Sequence, residues 1–252
     1  MAKIVSIHSF RRGTGKSIMT ANIAALLAAE GRRVIVLDTN LESPSLHILF
    51  HLNENEITHS LNQYLWGQCT IQETLHDVTH RLGAEVKGQL FFIPASTDIN
   101  DIKRIIKEGY DAGILNYGCY ELVDKLASDI ILIDTHAGLN AETLASLSIA
   151  HILAIILRLD KQDYQGTGVM VDLARKIDMP PQRLIVANEV PASYNFDLVK
   201  TALEKTFDCE VAAVLPHSDE MMALASSHIF ALTYPNHPLT EKLRHVASRL
   251  LV

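Results

Sequence analysis

The chain lacks the features that mark membrane-spanning, disulfide-bonded or strongly basic proteins. Its three cysteines lie far apart and form no CxxC pair, so we expect reduced thiols rather than a disulfide framework. No apolar run is long enough to cross a bilayer. Lys and Arg number 22 against 29 Asp and Glu, and the resulting net charge of −7 disfavours strong non-specific binding to nucleic acid.

The first residues also lack the charged and long apolar segments of a secretory signal, so we expect a cytoplasmic protein. No linker rich in Pro, Gly or Ser and no internal repeat divides the sequence. With 252 residues and 48% hydrophobic content, the chain can bury a substantial core. We therefore predict a single domain over residues 1–252.

Short apolar runs alternate with helical patterns along the chain. The predicted strands are Lys3–His8, Arg33–Asp38, Gln89–Ile93, Asp129–Asp134, Ile152–Arg158, Arg183–Asn188 and Glu210–Leu215. The predicted helices include Ser17–Ala29, Ile99–Ile106, Tyr120–Leu126, Ala141–Ile149, Gly166–Ile177 and Phe196–Thr206. This alternation predicts an α/β fold, with a doubly wound, mostly parallel sheet flanked by helices. Residues from about 51 to 88 are polar and less regular, and we expect a helical insertion there.

The most informative stretch is the loop that follows the first predicted strand and reads SFRRGTGKS over residues 9–17. A strand, a glycine-containing loop and a helix in this order bring backbone N–H groups and a helix N-terminus together around phosphate. In such a P-loop, Lys16 reaches the β- and γ-phosphates and the Ser17 hydroxyl binds Mg²⁺. Phe10 stands where the strict Walker A pattern has glycine, so this loop departs from the ordinary motif.

Polar residues end or follow three further predicted strands. Asp38 ends the second strand, where a carboxylate organises Mg²⁺ and its waters, and Asp134 ends an apolar strand of the Walker B type. Gly138 follows soon after and can contact a γ-phosphate through its N–H. Asn188 can donate to and accept from a purine edge. The structural alternatives are a strand-end cap for Asp134 and a turn-forming residue for Asn188.

With these motifs in place, the chain resembles the MinD/ParA family of deviant Walker A ATPases, whose loop reads K-G-G-x-G-K-[TS]. The resemblance covers almost the whole chain, and cyanobacterial ParA-like proteins are a candidate subgroup. It rests on the loop, Asp38-Thr39-Asn40, Asp134-Thr135-His136-Ala137-Gly138, Asn188 and Val214-Leu215-Pro216. It implies a P-loop ATPase that binds ATP with Mg²⁺, forms a homodimer on ATP binding, and positions or partitions a cellular cargo through an adaptor or activator protein. DNA and a membrane surface both stay open as the track.

The resemblance also implies a role for each residue of the site. The phosphates would contact Arg12, Gly13, Thr14, Gly15, Lys16, Ser17, Ile18 and Gly138, and adenine would contact Asn188 and Pro216. Ser17, Asp38 and Asp134 would hold the metal. The catalytic group would comprise Lys16, Arg11, Asp38, Asn40 and Asp134. Within it, Arg11 takes the position of the signature lysine that crosses into the partner's site.

The sequence departs from the family pattern at four positions within these motifs. Arg11 keeps a cation but replaces a point charge by a planar fork. Arg12 replaces a glycine, and a side chain fits there only at negative φ or with strain. Asn40 replaces an aspartate that helps to position the attacking water, and its neutral amide predicts slow hydrolysis. His136 stands where the family often has proline, and we expect it to contact backbone or solvent.

Two other functions stay open at this point. One is an ATP-dependent small-molecule kinase or ligase of a related P-loop fold, which would need a second pocket with converging polar groups. The other is a scaffold that binds ATP without hydrolysing it, which Arg12 and Asn40 favour. The amphipathic residues 239–252 are expected to form a docked final helix rather than a membrane anchor.

Overall fold

The computed structural model describes residues 2–83 and 85–252. Eight strands form one sheet in the order β3-β4-β2-β5-β1-β6-β7-β8. Their bounds are β1 Lys3–His8, β2 Arg33–Asp38, β3 His76–Asp77, β4 Gln89–Ile93, β5 Ile130–Asp134, β6 Ile152–Leu157, β7 Gln182–Val190 and β8 Glu210–Pro216. The two-residue β3 pairs antiparallel with β4, and every other neighbouring pair is parallel. The predicted α/β fold with a doubly wound, mostly parallel sheet is confirmed.

Helices connect the strands and cover both faces of the sheet. In the described residues they are α1 Lys16–Ala29, α2 Leu46–Leu49, α3 Leu61–Leu65, α4 Ile99–Glu108, α5 Ala112–Leu126, α6 Ala141–Ile149, α7 Lys161–Arg175, α8 Phe196–Phe207, α9 Asp219–Ala223, α10 Phe230–Thr233 and α11 Pro238–Arg249. Short 3₁₀ turns occur at Glu54–Glu56, Gln72–Thr74 and Thr79–Leu82. Within residues 2–83 and 85–252, no helix is long and apolar enough to span a membrane.

The central strands are apolar because both of their faces are buried. Successive residues of a strand point to opposite faces, so Val5 of β1 joins the cluster formed with α1 and α11, whereas Ile4 joins the cluster formed with α5. Strands β6 to β8 bury one face against α7 and α8. Because β2, β5 and β1 are parallel neighbours, their carboxyl ends meet at one edge of the sheet.

Two helices begin earlier than their sequence patterns predict. Helix α5 begins at Ala112 rather than Tyr120, and α7 begins at Lys161 rather than Gly166. In both, an aspartate just before the helix accepts hydrogen bonds from the first free N–H groups. Gly113 near the start of α5 and Gly166 in the second turn of α7 have low helix propensity, which weakens the sequence pattern. Capping by Asp111 and Asp160 explains why the helices form there nonetheless.

Residues 51–88 and helix α11 lie outside the main βα units; the first is irregular and the second is a regular packed helix. Residues 51–88, where we expect a helical insertion, hold the short α3, three 3₁₀ turns and the edge strand β3; Ala84 of this segment lies outside the described residues. Helix α11 buries Leu243 and Val246 in the cluster that contains α1 and β8. It therefore packs as a docked final helix.

Candidate functional site

A cavity of about 410 Å³ opens at the carboxyl edge of the sheet, above the start of α1. Its lining combines the loop after β1 and the start of α1 with segments that follow β2, β5 and α9 and with one residue near the end of β7: Ser9, Arg11–Ile18, Asn40, Ser43, Ser45, Ile48, Leu49, His136, Ala137, Glu189 and Ser226. In open α/β sheets, ligands bind outside the carboxyl ends of the strands. The volume is within the range of small-molecule sites.

The backbone of the loop requires glycine at two positions. Gly13 and Gly15 have φ of 79° and 89°, in the left-handed region. A Cβ atom on Gly15 would lie 2.4 Å from Nδ2 of Asn188, which itself donates a 2.8 Å hydrogen bond to the Thr14 carbonyl. Arg12 is not among the positive-φ residues of the described chain. The Arg12 side chain is therefore accommodated without the backbone strain that a positive φ would impose at this position.

Four residues form what we call the floor of the cavity: Lys16, Ser17, Thr20 and Asp134. Lys16 Nζ and Ser17 Oγ each donate to a different oxygen of Asp134 at 2.7 Å. Thr20 Oγ1 donates to the first of these oxygens at 2.9 Å. Asp134 is fully buried and Lys16 is 8% exposed, so this buried carboxylate is neutralised and hydrogen-bonded by α1. Thr20 was not singled out from the sequence, although it lies one helical turn after Lys16.

Asp38 lies beside the floor, because it is in register with Asp134 on the neighbouring strand. Its oxygens accept from the backbone N–H of Asn40 at 3.0 Å and from those of Ser45 and Leu46 at 3.3 and 3.4 Å. Burial, followed by the charge of Asp134, raises the pKa of Asp38. A divalent cation would offset this repulsion. The two carboxylates and the Ser17 hydroxyl are oxygen donors of the kind that Mg²⁺ prefers, so the donor set fits the ion.

Three residues form the rim of the cavity: Arg12, Glu42 and His136. Arg12 Nη2 lies 2.6 Å from His136 Nε2 and 3.7 Å from Glu42 Oε2. A guanidinium only donates, so His136 Nε2 is the acceptor and the ring is neutral. Burial lowers the pKa of His136, which is consistent with that state. The rim therefore joins the loops that follow β1, β2 and β5, a contact that the sequence analysis missed.

Arg11 and Phe10 hold the same loop against α7. Arg11 Nη1 lies 2.9 Å from Asp160 Oδ1, and its Nε lies 3.6 Å from the buried Asp163. A Cβ atom on Gly166 would lie 1.9 Å from Cγ of the Phe10 ring, so this ring lies directly on the helix at its glycine. Phe10, which breaks the strict motif, is thus a packing residue. Arg11 is paired within its own chain.

Asn40 and Gly138 lie in the loops that follow β2 and β5, and of the two only Asn40 lines the cavity. The Asn40 Nδ2 donates to the Ser43 carbonyl, and its buried Oδ1 has no hydrogen-bond partner among residues 2–83 and 85–252. Gly138 has a φ of 90°, and its N–H donates to the Ser9 carbonyl at 3.1 Å. The N–H that we expected to face a γ-phosphate is therefore engaged by the P-loop backbone in this structure.

The predicted adenine contacts lie behind the cavity wall. Asn188 bonds to the P-loop, and Pro216 ends β8 paired with Val190; neither lines the cavity. Glu189 and Ser226 line it instead. Both have positive φ, 53° and 62°, which is uncommon for residues other than glycine. At Glu189, the pairing register between β7 and β8 changes by one residue. No sequence signal indicated that Glu189 or Ser226 would line the cavity.

Comparison with known sequences points to one group of proteins. A family model described as an AAA domain matches residues 2–186. An uncharacterized ATP-binding protein of Methanocaldococcus jannaschii is 25% identical over 252 residues, which is 100% of this chain and 88% of that protein. The septum site-determining protein MinD of Thermotoga maritima is 22% identical over 264 residues, covering 99% of this chain and 88% of MinD.

Solved structures give the same fold. The MinC:MinD cell division protein complex of Aquifex aeolicus aligns with a TM-score of 0.79 at 20% identity, covering 99% of this chain and 96% of the other. MinD of Pyrococcus horikoshii complexed with Mg-ADP aligns with a TM-score of 0.79 at 19% identity and the same coverage. A ParA family ATPase from Chlorobium tepidum reaches 0.77 at 17% identity, covering 98% and 99%.

Proposed function

This chain belongs to the MinD/ParA family of P-loop ATPases, and we propose that it is an ATP-binding, slowly hydrolysing switch that forms a homodimer when ATP is bound. The floor carries the proposal: the buried Lys16 and Asp134, with the half-buried Ser17, lie directly beneath a glycine loop at the start of a helix. This arrangement places a cation, a hydroxyl and helical N–H groups around one point, as phosphate with Mg²⁺ requires.

We place the phosphates on Arg12–Ile18 and the metal at Ser17, Asp38 and Asp134. Lys16 would exchange its bond to Asp134 for the β- and γ-phosphate oxygens, which frees that carboxylate to order the metal's waters. The Mg-ADP bound to the P. horikoshii MinD supports this choice of ligand. Adenine would lie toward Asn188 and Pro216, where Glu189 and Ser226 line the cavity.

Slow hydrolysis follows from Asn40. Its Oδ1 has no hydrogen-bond partner among the described residues, and the neutral amide cannot take a proton from an attacking water. We expect Asn40→Asp to raise the steady-state rate of phosphate release by at least about tenfold, with Asn53→Asp as an exposed control. Equal, brisk turnover in wild type and Asn40→Asp would contradict slow hydrolysis, and zero turnover in both would favour the scaffold reading.

The dimer, the partner and the cargo complete the proposal. Arg11 would leave Asp160 and Asp163 to act as the cation that crosses into the second copy. The A. aeolicus MinD in complex with MinC supports an adaptor or activator protein through which this switch would position or partition a cargo in the cytoplasm. Reduced cysteines support that compartment, and DNA and a membrane surface stay open as the track.

The kinase or ligase alternative needs an acceptor pocket beside the phosphates. The structure has a second cavity of about 680 Å³ between α7 and α8, lined by Leu159, Asp160, Lys161, Tyr164, Gln165, Tyr194, Asn195, Leu198, Val199 and Ala202. It shares no lining residue with the first cavity. The geometry therefore favours the switch, and phosphate release that required an added small molecule would overturn that preference.

A further inference from the structure

Arg12 occupies the junction of the three loops that surround the phosphate end of the cavity. From the P-loop, its guanidinium contacts His136, two residues after β5, and faces Glu42, four residues after β2. All three loops contribute lining residues, including Arg12 and His136 themselves. In P-loop switches, the loops after the metal-binding strands respond to the γ-phosphate. The Arg12 head therefore lies where ATP and ADP differ.

The present partners of Arg12 offer its guanidinium little negative charge. The His136 ring carries no charge, and the Glu42 carboxylate is 3.7 Å from the guanidinium with 45% of the Glu42 side chain exposed. The Arg12 side chain is itself 67% exposed, and exposed ion pairs contribute little because water screens them. A γ-phosphate would offer a fork-shaped donor more negative charge and bidentate geometry. We therefore expect Arg12 to exchange Glu42 and His136 for a γ-phosphate when one is bound.

Arg11, its neighbour, is held differently. It has a 2.9 Å contact to Asp160 and a second carboxylate, Asp163, that is almost fully buried at 3.6 Å. Both partners lie on the start of α7, away from the loops after β2 and β5. In a single chain, Arg12 is thus the arginine of this loop that faces the γ-phosphate position.

We propose that Arg12 recognises the γ-phosphate within its own chain and so makes the site prefer ATP to ADP. The inference rests on the proposed function, namely that the cavity binds ATP. When the guanidinium binds phosphate, it leaves Glu42 and His136. One exchange therefore signals the presence of the γ-phosphate to the loops after β2 and β5.

The test compares dissociation constants for a non-hydrolysable ATP analogue and for ADP, both with Mg²⁺, by calorimetry on the full chain. Arg12→Ala should weaken the analogue by about ten- to a hundredfold, as expected for a charge-assisted hydrogen bond, and leave ADP within about twofold. Arg12→Lys should restore part of the loss. Arg32→Ala, which removes another half-exposed arginine with a distant acidic partner, should change neither constant.

Glu42→Gln supplies a readout that a purely structural role would not move. It removes the carboxylate that competes with phosphate, so the analogue should bind about two- to fivefold more tightly, and ADP should be unaffected. Equal losses for both nucleotides in Arg12→Ala, or no loss for either, would overturn the inference while leaving ATP binding intact. A wild-type protein that binds neither nucleotide would instead overturn the proposed function.

Discussion

The floor of the cavity buries its charges, whereas the rim leaves them half in water. On the floor, Lys16 and Asp134 are less than a tenth exposed and are joined at 2.7 Å. On the rim, the side chains of Arg12 and Glu42 are 67% and 45% exposed and stand 3.7 Å apart. Removing one member of a buried ion pair lowers the free energy of unfolding strongly, whereas removing one member of an exposed pair changes it little. The floor should therefore support the fold and bind any nucleotide, and the rim should distinguish one nucleotide from another.

Breaking the floor should have the largest effect. Lys16→Ala leaves Asp134 buried without its paired ammonium group, so the free energy of unfolding should fall by about 3 kcal/mol, and ATP binding should be lost. Urea denaturation and nucleotide titration measure the two results. Lys103→Ala, on the exposed side of α4, is the matched control and should change neither. Undiminished ATP binding by Lys16→Ala would show that the floor is not a phosphate site.

A smaller effect is expected where the loop rests on α7. Gly166→Ala would place a Cβ atom 1.9 Å from the Phe10 ring, which must move, and we expect unfolding to become easier by about 1–3 kcal/mol. Gly168→Ala is the control, because its Cβ would meet its nearest neighbour, Phe207, at 4.0 Å. In that variant, helix propensity should add about 1 kcal/mol of stability. Equal thermal denaturation midpoints for the two variants would contradict the packing of Phe10.

A pH-dependent part of the stability should come from Glu142, behind the rim. Burial, followed by the charge of Glu42, raises the pKa of Glu142 from 4.5 to about 7. Between these values the folded chain holds a proton that the unfolded chain has released, so stability should fall as pH rises from about 4.5 to about 7 and then level off.

Urea midpoints at a series of pH values measure this dependence. Glu142→Gln should reduce the slope over that range without abolishing it, because the raised pKa of Asp38 contributes in the same direction, whereas Glu108→Gln on the exposed end of α4 should leave the slope unchanged. An unchanged slope in Glu142→Gln would assign the pH dependence to another group. The rim is partly solvated, so the size of this pH dependence measures how strongly Glu142, behind the rim, is shielded from water.

The sequence predicts the floor better than the rim for a physical reason. Buried parallel strands must be apolar, so the ends of β2 and β5 at Asp38 and Asp134 are visible in the composition of the runs before them. Glycine and lysine at fixed spacing mark the loop that faces these ends. Lys3–His8, Arg33–Asp38 and Gln89–Ile93 are strands with the predicted bounds.

The rim and the other side-chain contacts of the P-loop depend on pairs that sequence spacing does not connect. Arg12 and His136 are 124 residues apart, and Arg11 and Asp160 are 149 apart. Each is an ordinary charged or polar residue in a loop or at a helix start, with no periodic neighbours to indicate its direction. Only the closure of the parallel sheet brings them together. Asn188 likewise meets Thr14 across 174 residues.

In the proposed switch, ATP, and not ADP, joins two copies of this chain. Light scattering on the full-length protein with Mg²⁺ measures its mass with no nucleotide, with ADP and with a non-hydrolysable ATP analogue, while calorimetry on the same samples measures nucleotide binding. We predict a doubled mass with the analogue alone, and no doubling in Arg11→Ala. A single unchanged mass in all three conditions, with the analogue bound, would contradict the account.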